Sequence, residues 1–228
     1  MDKLKIEAVA RDLQIKIWRE RSHIWPAGTL RLADLLDPAI AAAVLGINFE
    51  EYDELGRFGD GKQRYEIAGL IDRQANKIAV SRKFPPETMR FTGAHELGHW
   101  LMHSKEVMHR DRPIKGLSSD GAARSPREQE ADYFAACFLI PKKPLVAAFE
   151  LAFKTKTPFV FNDTSAFWLC GTDPDSLLRA DSSSLDRALA LASAEHYAGT
   201  HFISLAKQFR VSITSMAIRL KELKLLEE

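Results

Sequence analysis

Residues 95–99 read His-Glu-Leu-Gly-His, a pattern that constrains both the local fold and the chemistry of this 228-residue chain. On an α-helix, side chains four positions apart share a face and lie about 6 Å apart along the axis. The imidazoles of His95 and His99 could therefore bind one tetrahedral zinc ion through ring nitrogens. Glu96, about 100° further round the helix, could reach a water bound to that ion and take its proton during attack on a carbonyl.

The residues around this pattern predict the helix that such chemistry requires. Pro85, Pro86 and Glu87 are typical of a helix start, because proline is tolerated in the first turn and an acidic side chain favours the positive end. An apolar stripe at helical spacing follows at Phe91, Ala94, Leu97, Leu101 and Met102. The pattern on a helix is a zinc-protease signature, so the sequence predicts a zinc site with Glu96 as its general base.

A catalytic zinc site needs a third protein ligand and leaves its fourth position for water. The segment 125–140 supplies candidates, because it reads as a second helix that a proline ends. Glu128 and Asp132 share one face of it, so one carboxylate could bind zinc while the other accepts a hydrogen bond from a ligating histidine. Ser125 and Glu128 also fit a capping box, in which case Glu130 becomes the candidate ligand. Spacing alone leaves Glu128 and Glu130 both open.

Taken together, the two motifs resemble a known family. Residues 95–103, HELGHWLMH, and residues 128–141, EQEADYFAACFLIP, are similar to the ImmA/IrrE zinc metallopeptidases, with the resemblance covering roughly residues 40–145. In related zincins the third ligand lies four residues before an Asp or Asn, so the resemblance selects Glu128 over Glu130. Asp at position 132 replaces the more common Asn but keeps the acceptor oxygen. The resemblance implies the metal ligands His95, His99 and Glu128, the general base Glu96, and Asp132 as the hydrogen-bond partner of a ligating histidine.

The order of elements agrees with a zincin-like α+β fold. Helices are predicted at 2–20 and 31–45, and strand composition follows from Ile47 to Ser81 with turns near 59–61 and 73–76. We therefore expect a small antiparallel sheet before the active-site helix. The strand Ala68–Asp72, or its neighbour, is expected at an edge of that sheet, where an extended peptide could pair with it.

The chain changes character after the peptidase-like part, and two domains are predicted, 1–145 and 146–228. The second is mainly helical and ends in a helix-turn-helix-like unit at 202–223, with Ser212 capping its second helix. Ile213 and its apolar or hydroxyl neighbours stand where a DNA-reading helix would carry basic and amide side chains. This pattern argues against direct DNA binding.

Other polar residues near the motif have no assigned role. His103 continues the face of the two motif histidines, but it lies about 12 Å along the axis from His95, too far to share one ion. A packing or substrate-cleft role is expected for it. The residues considered for stabilising an oxyanion on the substrate, among which the sequence does not choose, are His109, Arg110, Arg112, Tyr133 and Tyr197.

Composition narrows the classes of partner and location. A net charge of +1 gives no electrostatic case for nucleic acid or membrane partners. The first residues lack the apolar core of a signal peptide, and Cys137 and Cys170 lie far apart, so we expect a cytoplasmic protein with reduced thiols.

Two functions of different classes follow. The resemblance implies a zinc endopeptidase acting on a protein substrate, a helix-turn-helix repressor or antitoxin, in a stress-response or mobile-element switch that regulates transcription. The rival hypothesis is a non-catalytic regulatory module that binds DNA or a partner protein through its C-terminal helices. Glu96 argues against the rival, because a structural zinc site needs no base beside an open metal position.

Overall fold

The computed structural model describes residues 1–26, 28, 31–58, 64–103, 108–111 and 125–227, with the segment 108–111 described by its backbone only. The chain divides into two compact units, Met1–Leu139 and Ile140–Glu228. Helices combined with small sheets confirm the predicted α+β class. The domain limits 1–145 and 146–228 stay a prediction, because compactness alone does not define a functional domain. Within the described ranges, no helix combines the length and the apolar character that a membrane crossing needs.

The first unit begins with helices, continues with strands, and ends with the two helices that carry the motifs. Its elements are α1 (Lys3–Ile24), α2 (Leu32–Leu35), α3 (Pro38–Val44), β1 (Asn48–Tyr52), β2 (Arg57–Phe58), β3 (Tyr65–Glu66), β4 (Gly69–Asp72), β5 (Lys77–Ser81), α4 (Pro86–Met102), β6 (Met108–Asp111) and α5 (Pro126–Leu139).

The single helix predicted over 31–45 was wrong, because the chain breaks it into α2 and α3 at Asp37. A residue before proline disfavours helical backbone angles, and Asp37 precedes Pro38. Its side chain then caps α3 by accepting a hydrogen bond of 2.9 Å from the backbone of Ala39. Arg90 of α4 donates to the same carboxylate at 2.9 Å, which ties the break to the motif helix.

The main sheet has the strand order β1-β5-β4-β6. β4 pairs antiparallel with both β5 and β6, as expected, and the predicted turn at 73–76 joins β4 to β5. β1, however, pairs parallel with β5, so the expectation of a purely antiparallel sheet was wrong. β1 reaches β5 only after a long connection that contains β2 and β3, and no local turn fixes its direction. The predicted turn at 59–61 lies outside the described residues.

Of the two alternatives for the sheet edge, Ala68–Asp72 was wrong, whereas its neighbour β6 does lie at an edge. β4 lies between β5 and β6 and pairs with both. All four β4 residues have partners in β6, from Gly69 opposite Asp111 to Asp72 opposite Met108. The two edges of this sheet among the described residues are therefore β1 and β6.

Helix α1 packs along α5 and contacts it through both apolar and polar side chains. Its buried stripe has helical spacing, at Ile6, Ala10, Leu13 and Ile17. Gln14 donates from Nε2 to the backbone oxygens of Cys137 at 3.1 Å and Phe138 at 2.9 Å. These bonds satisfy carbonyls near the end of α5 that have no partner within the helix. The second motif helix is thus held in place by both apolar and polar contacts.

The second unit is mainly helical, as predicted. Its elements are α6 (Lys142–Phe153), α7 (Asp163–Leu169), α8 (Pro174–Arg179), α9 (Asp186–Ser193), β7 (His196–Tyr197), β8 (Thr200–His201), α10 (Leu205–Phe209) and α11 (Ile213–Glu222). The last two helices form the predicted helix-turn-helix-like pair. Ser212 caps α11 by accepting from the backbone of Ser215 at 3.1 Å, and both Phe209 and Met216 are fully buried between the elements of this unit.

Two basic residues of α11 face the protein rather than solvent, which the sequence did not reveal. Arg219 is only 3% exposed and donates to the backbone oxygen of Ile140 at 3.2 Å and to Glu222 at 3.1 Å. Lys221 donates from Nζ to the backbone oxygens of Ser182 and Ser184 at 2.7 and 2.8 Å. The charges of both side chains are therefore used within the unit.

Candidate metal centre

Helix α4 carries the motif through the interior of the first unit. Every residue from Thr92 to His99 is buried, and His95 and Glu96 have no exposed surface. Burying ionisable side chains costs free energy unless they are paired, hydrogen-bonded or bound to an ion. Three such side chains within two helical turns therefore mark this stretch as a site rather than as ordinary core.

A glycine allows α5 to approach α4 closely at the motif. A Cβ added at Gly98 would lie 3.0 Å from Cδ1 of Phe134 and 3.2 Å from the Cα of Ala131. A Cβ at this position would require the Phe134 side chain and the Ala131 backbone to shift by a few tenths of an ångström. The close crossing brings the acidic residues of α5 within reach of the motif histidines.

Three side chains converge on one point between the two helices. Nε2 of His95 lies 3.0 Å from Nε2 of His99, and the two nitrogens lie 3.3 Å from Oε2 and Oε1 of Glu128, respectively. Donors at about 2.0–2.1 Å from a tetrahedral ion are separated by about 3.3 Å. The spacing of these atoms therefore fits a single metal ion, and the nitrogen and carboxylate donors are those that zinc accepts.

The tautomer of His95 is fixed by Asp132 of α5. Nδ1 of His95 lies 2.9 Å from Oδ1 of Asp132. A carboxylate accepts hydrogen bonds and does not donate them, so Nδ1 of His95 carries the hydrogen. In the neutral ring, Nε2 then presents its lone pair to the point where the ligand atoms of His99 and Glu128 converge. This is the partner arrangement that the sequence predicted for Asp132, and such contacts orient metal-binding histidines.

Glu128 combines a backbone cap with a side chain turned into the site. Its backbone N–H donates to Oγ of Ser125 at 3.3 Å, as in the first half of a capping box. Its carboxylate instead faces the two histidines. Burial raises the pKa of the Glu128 carboxyl, but hydrogen bonds and charge from His95 and His99, when these rings are protonated in the absence of metal, outweigh it and hold that pKa well below its ordinary value. Glu128 is therefore an anion, as a metal ligand must be.

Comparison with known proteins agrees with this geometry. Residues 50–162 match the family model Peptidase_M78, described as the IrrE N-terminal-like domain. The matched range contains both motif helices and the three converging side chains. Residues 50–162 belong to the IrrE N-terminal-like peptidase family. Among curated proteins, none matches its sequence. The suspected family is thereby confirmed, together with a zincin-like fold and a candidate metal site.

In this IrrE-like domain, the predicted base Glu96 lies against β4. A Cβ added at Gly69 would be 2.9 Å from Cγ of Glu96 and closer still to its Oε1, and 2.6 Å from Cγ2 of Thr92. The bare backbone of Gly69 therefore makes room for the Glu96 carboxylate. Glu96 follows His95 directly on the helix, so it points to a different side from the ligand and towards the sheet.

Two residues at this site were missed by the sequence reasoning. His103 was expected to pack or to face a cleft, and Glu130 to be either the third ligand or unrelated to the site. The structure brings His103 to 2.9 Å from His99 and Glu130 to 3.2 Å from His103. Glu130 is not among the three converging donors, His95, His99 and Glu128. The signal in the sequence was the spacing of four residues between His99 and His103, which predicts that the two rings share a face of the helix. That spacing was used only to ask whether His103 could bind the same ion.

The candidates for oxyanion stabilisation are placed differently. Tyr133 is buried and its hydroxyl donates to Oε1 of Glu7 at 2.5 Å, so that hydroxyl is engaged with α1. Tyr197 belongs to the second unit, where it packs against Phe153. The side chains of His109 and Arg110, and all of Arg112, lie outside the described residues. None of these observations assigns the role.

Proposed function

We propose that this chain is a zinc-dependent endopeptidase that hydrolyses a peptide bond in a protein substrate. The observation that carries the proposal is the buried set of His95, His99 and Glu128, whose donor atoms are spaced as one tetrahedral ion requires. The neighbouring carboxylate of Glu96 separates a catalytic site from a structural one, because a closed structural site has no use for a base.

The chain's own residues divide the chemistry between them. Zinc, when bound by the three ligands, supplies a Lewis acid that lowers the pKa of water and polarises the scissile carbonyl. Glu96 accepts the proton of the attacking water and delivers it to the leaving amine. Asp132 keeps the His95 ring in the tautomer that binds metal. Burial around Glu96 excludes bulk water, which strengthens each of these interactions.

The substrate we propose is a helix-turn-helix repressor or antitoxin, cleaved in a stress-response or mobile-element switch in the cytoplasm. The support for this substrate is the resemblance of the two motifs to the ImmA/IrrE peptidases.

One specific observation favours a second candidate function, a regulatory module acting through its C-terminal helices. α10 and α11 have the arrangement of a helix-turn-helix, with a capped second helix. The start of α11, however, carries Ile213 with 45% of its surface exposed, and Arg219 and Lys221 are turned into the unit. These features suit contact with a protein surface better than contact with phosphates.

The test of the proposed function combines metal analysis with cleavage. The purified chain should contain about one zinc ion and should cleave the helix-turn-helix protein encoded nearest to it. Glu96→Gln keeps all three ligands, so it should keep zinc while cleavage falls by roughly 10²–10⁴-fold, the range for loss of a general base. Glu87→Gln, an exposed position in the first turn of the same helix, is the matched control and should cleave normally.

Two results would contradict the proposal. One is a Glu96→Gln variant that cleaves as fast as the parent, since the proton would then have another acceptor. The other is a parent protein that binds no zinc at micromolar concentrations of the ion. Substitution of His95 or His99 by Ala should abolish zinc binding, because the two remaining protein ligands are too few to keep the ion bound in water.

A further inference from the structure

The ring nitrogen of His99 that faces away from the metal site contacts another histidine, His103, rather than a carboxylate. Nδ1 of His99 lies 2.9 Å from Nδ1 of His103, and Nε2 of His103 lies 3.2 Å from Oε2 of Glu130. The rings of the two histidines are 4.9 Å apart, and only 8% of the His103 side chain is exposed. Three side chains thus form a continuous series of polar contacts that leads from the metal-facing ring to a partly exposed carboxylate.

Proton positions along this series follow from the role of His99. If Nε2 of His99 offers its lone pair to a metal ion, Nδ1 of the neutral ring carries the hydrogen and donates. Nδ1 of His103 must then accept, which leaves Nε2 of His103 to donate to the carboxylate of Glu130. Every contact then has one donor and one acceptor, so the series is consistent with His99 binding a metal ion through Nε2.

The position of His103 is fixed by its backbone as well as by its ring. Its N–H donates to the oxygen of His99 at 2.9 Å and closes the last turn of α4. Arg73 donates from Nη2 to the oxygens of His99 at 3.0 Å and of His103 at 3.3 Å. The residue is therefore held where its ring can support the ring of His99.

We propose that His103 and Glu130 are positioning residues that orient His99 towards the metal ion, an inference that rests on the proposed zinc site. Asp132 gives His95 the same support by direct contact. A hydrogen-bond acceptor behind a ligating histidine fixes its orientation and makes its other nitrogen a stronger metal donor. His99 obtains its acceptor through an imidazole because Glu130 leaves α5 about 200° round the helix from Glu128.

The experiment measures zinc affinity of the full chain by competition with a chromophoric chelator, and the absorption bands of the Co²⁺-substituted protein. His103→Ala and Glu130→Ala should each weaken zinc binding by about 10–100-fold, the usual effect of losing such a partner. Both should also shift the Co²⁺ bands, because the His99 ring changes its orientation. Neither readout depends on a substrate or on turnover.

Conservative variants separate positioning from general disruption. Glu130→Gln keeps an acceptor for His103 and should bind zinc more tightly than Glu130→Ala. His103→Asn places an amide oxygen near the position of Nδ1 and should recover part of the affinity that His103→Ala loses. Gln129→Ala, at the exposed neighbouring position of α5, is the matched control and should keep the parent affinity and spectrum.

The possible outcomes are distinct. Parent zinc affinity and parent Co²⁺ bands in both alanine variants would overturn the positioning role while leaving the peptidase proposal intact. A parent protein that binds no zinc would overturn both. If His103→Ala does not fold, Glu130→Ala decides the matter, because 29% of the Glu130 side chain is exposed and its removal leaves little space in the core. Weaker binding rescued by Glu130→Gln supports the proposal.

Discussion

Gly69→Ala adds one methyl group between strand β4 and the base Glu96. The new Cβ would lie 2.6 Å from Cγ2 of Thr92 and 2.9 Å from Cγ of Glu96, where carbon atoms prefer separations of about 3.5–4.0 Å. β4 cannot move away easily, because Gly69 is paired with Val80 on one side and with Asp111 on the other. Glu96 and Thr92 are both buried, so relieving the overlap requires displacing both side chains, including that of Glu96.

The size of the effect can be estimated for stability and for rate. Overpacking by one methyl group in a closed core costs about 1–3 kcal/mol, which should appear as a lower free energy of unfolding. A displacement of the base by about 1 Å costs on the order of 10²-fold in rate. Zinc content should stay near one ion per chain, because the three ligands leave α4 and α5 from other positions.

The assay follows cleavage, zinc content and urea unfolding on the same preparation. Gly171→Ala serves as the control, since a Cβ there meets only the oxygen of Phe167 at 3.6 Å, an ordinary contact. It should change the free energy of unfolding by no more than about 0.5–1 kcal/mol in either direction. A Gly69→Ala protein with parent cleavage rate and parent stability would refute the placement of Glu96 against β4.

Three further predictions concern the ligand set and the second unit. Glu128→Ala should lose zinc on dialysis, whereas Glu130→Ala should still hold about one ion at saturating zinc, as measured by mass spectrometry; the reverse result would make Glu130 the ligand. Arg219→Ala should lower the free energy of unfolding by about 1–3 kcal/mol, because the buried backbone oxygen of Ile140 loses its donor, whereas exposed Lys143→Ala should not, as thermal unfolding would show. Duplex DNA should bind weakly, with a slope of log K against log salt shallower than about −3, since few basic side chains remain for phosphates; tight, sequence-dependent binding in fluorescence anisotropy would contradict this.

The parts of the site that the sequence predicted are those set by local spacing. His95, Glu96 and His99 lie within one helix whose start, apolar stripe and length are all visible in neighbouring residues. Glu128 and Asp132 are fixed in the same way on α5. Local periodicity is enough to place side chains on one face, and the family resemblance then supplied the pairing of the two helices.

The parts that failed depend on contacts between distant segments. The parallel pairing of β1 with β5 follows from how the whole sheet assembles, and no residue in β1 encodes the direction of its partner. Arg219 looks like a surface cation in the sequence, and only the packed fold shows that it bonds to Ile140. His103 was judged by its distance to the ion, although its hydrogen bond to His99 needed no approach to the ion at all.

Because β6 already pairs with β4, it competes with any peptide that would pair with the same side of β4. A peptide that adds to β4 must first displace β6, a strand of the same chain. The apparent affinity for such a peptide is therefore reduced by the fraction of molecules in which β6 is detached. Under the proposed peptidase function, a substrate that pairs with β4 must offset that factor with contacts outside the strand, so segments far from the scissile bond would contribute to specificity.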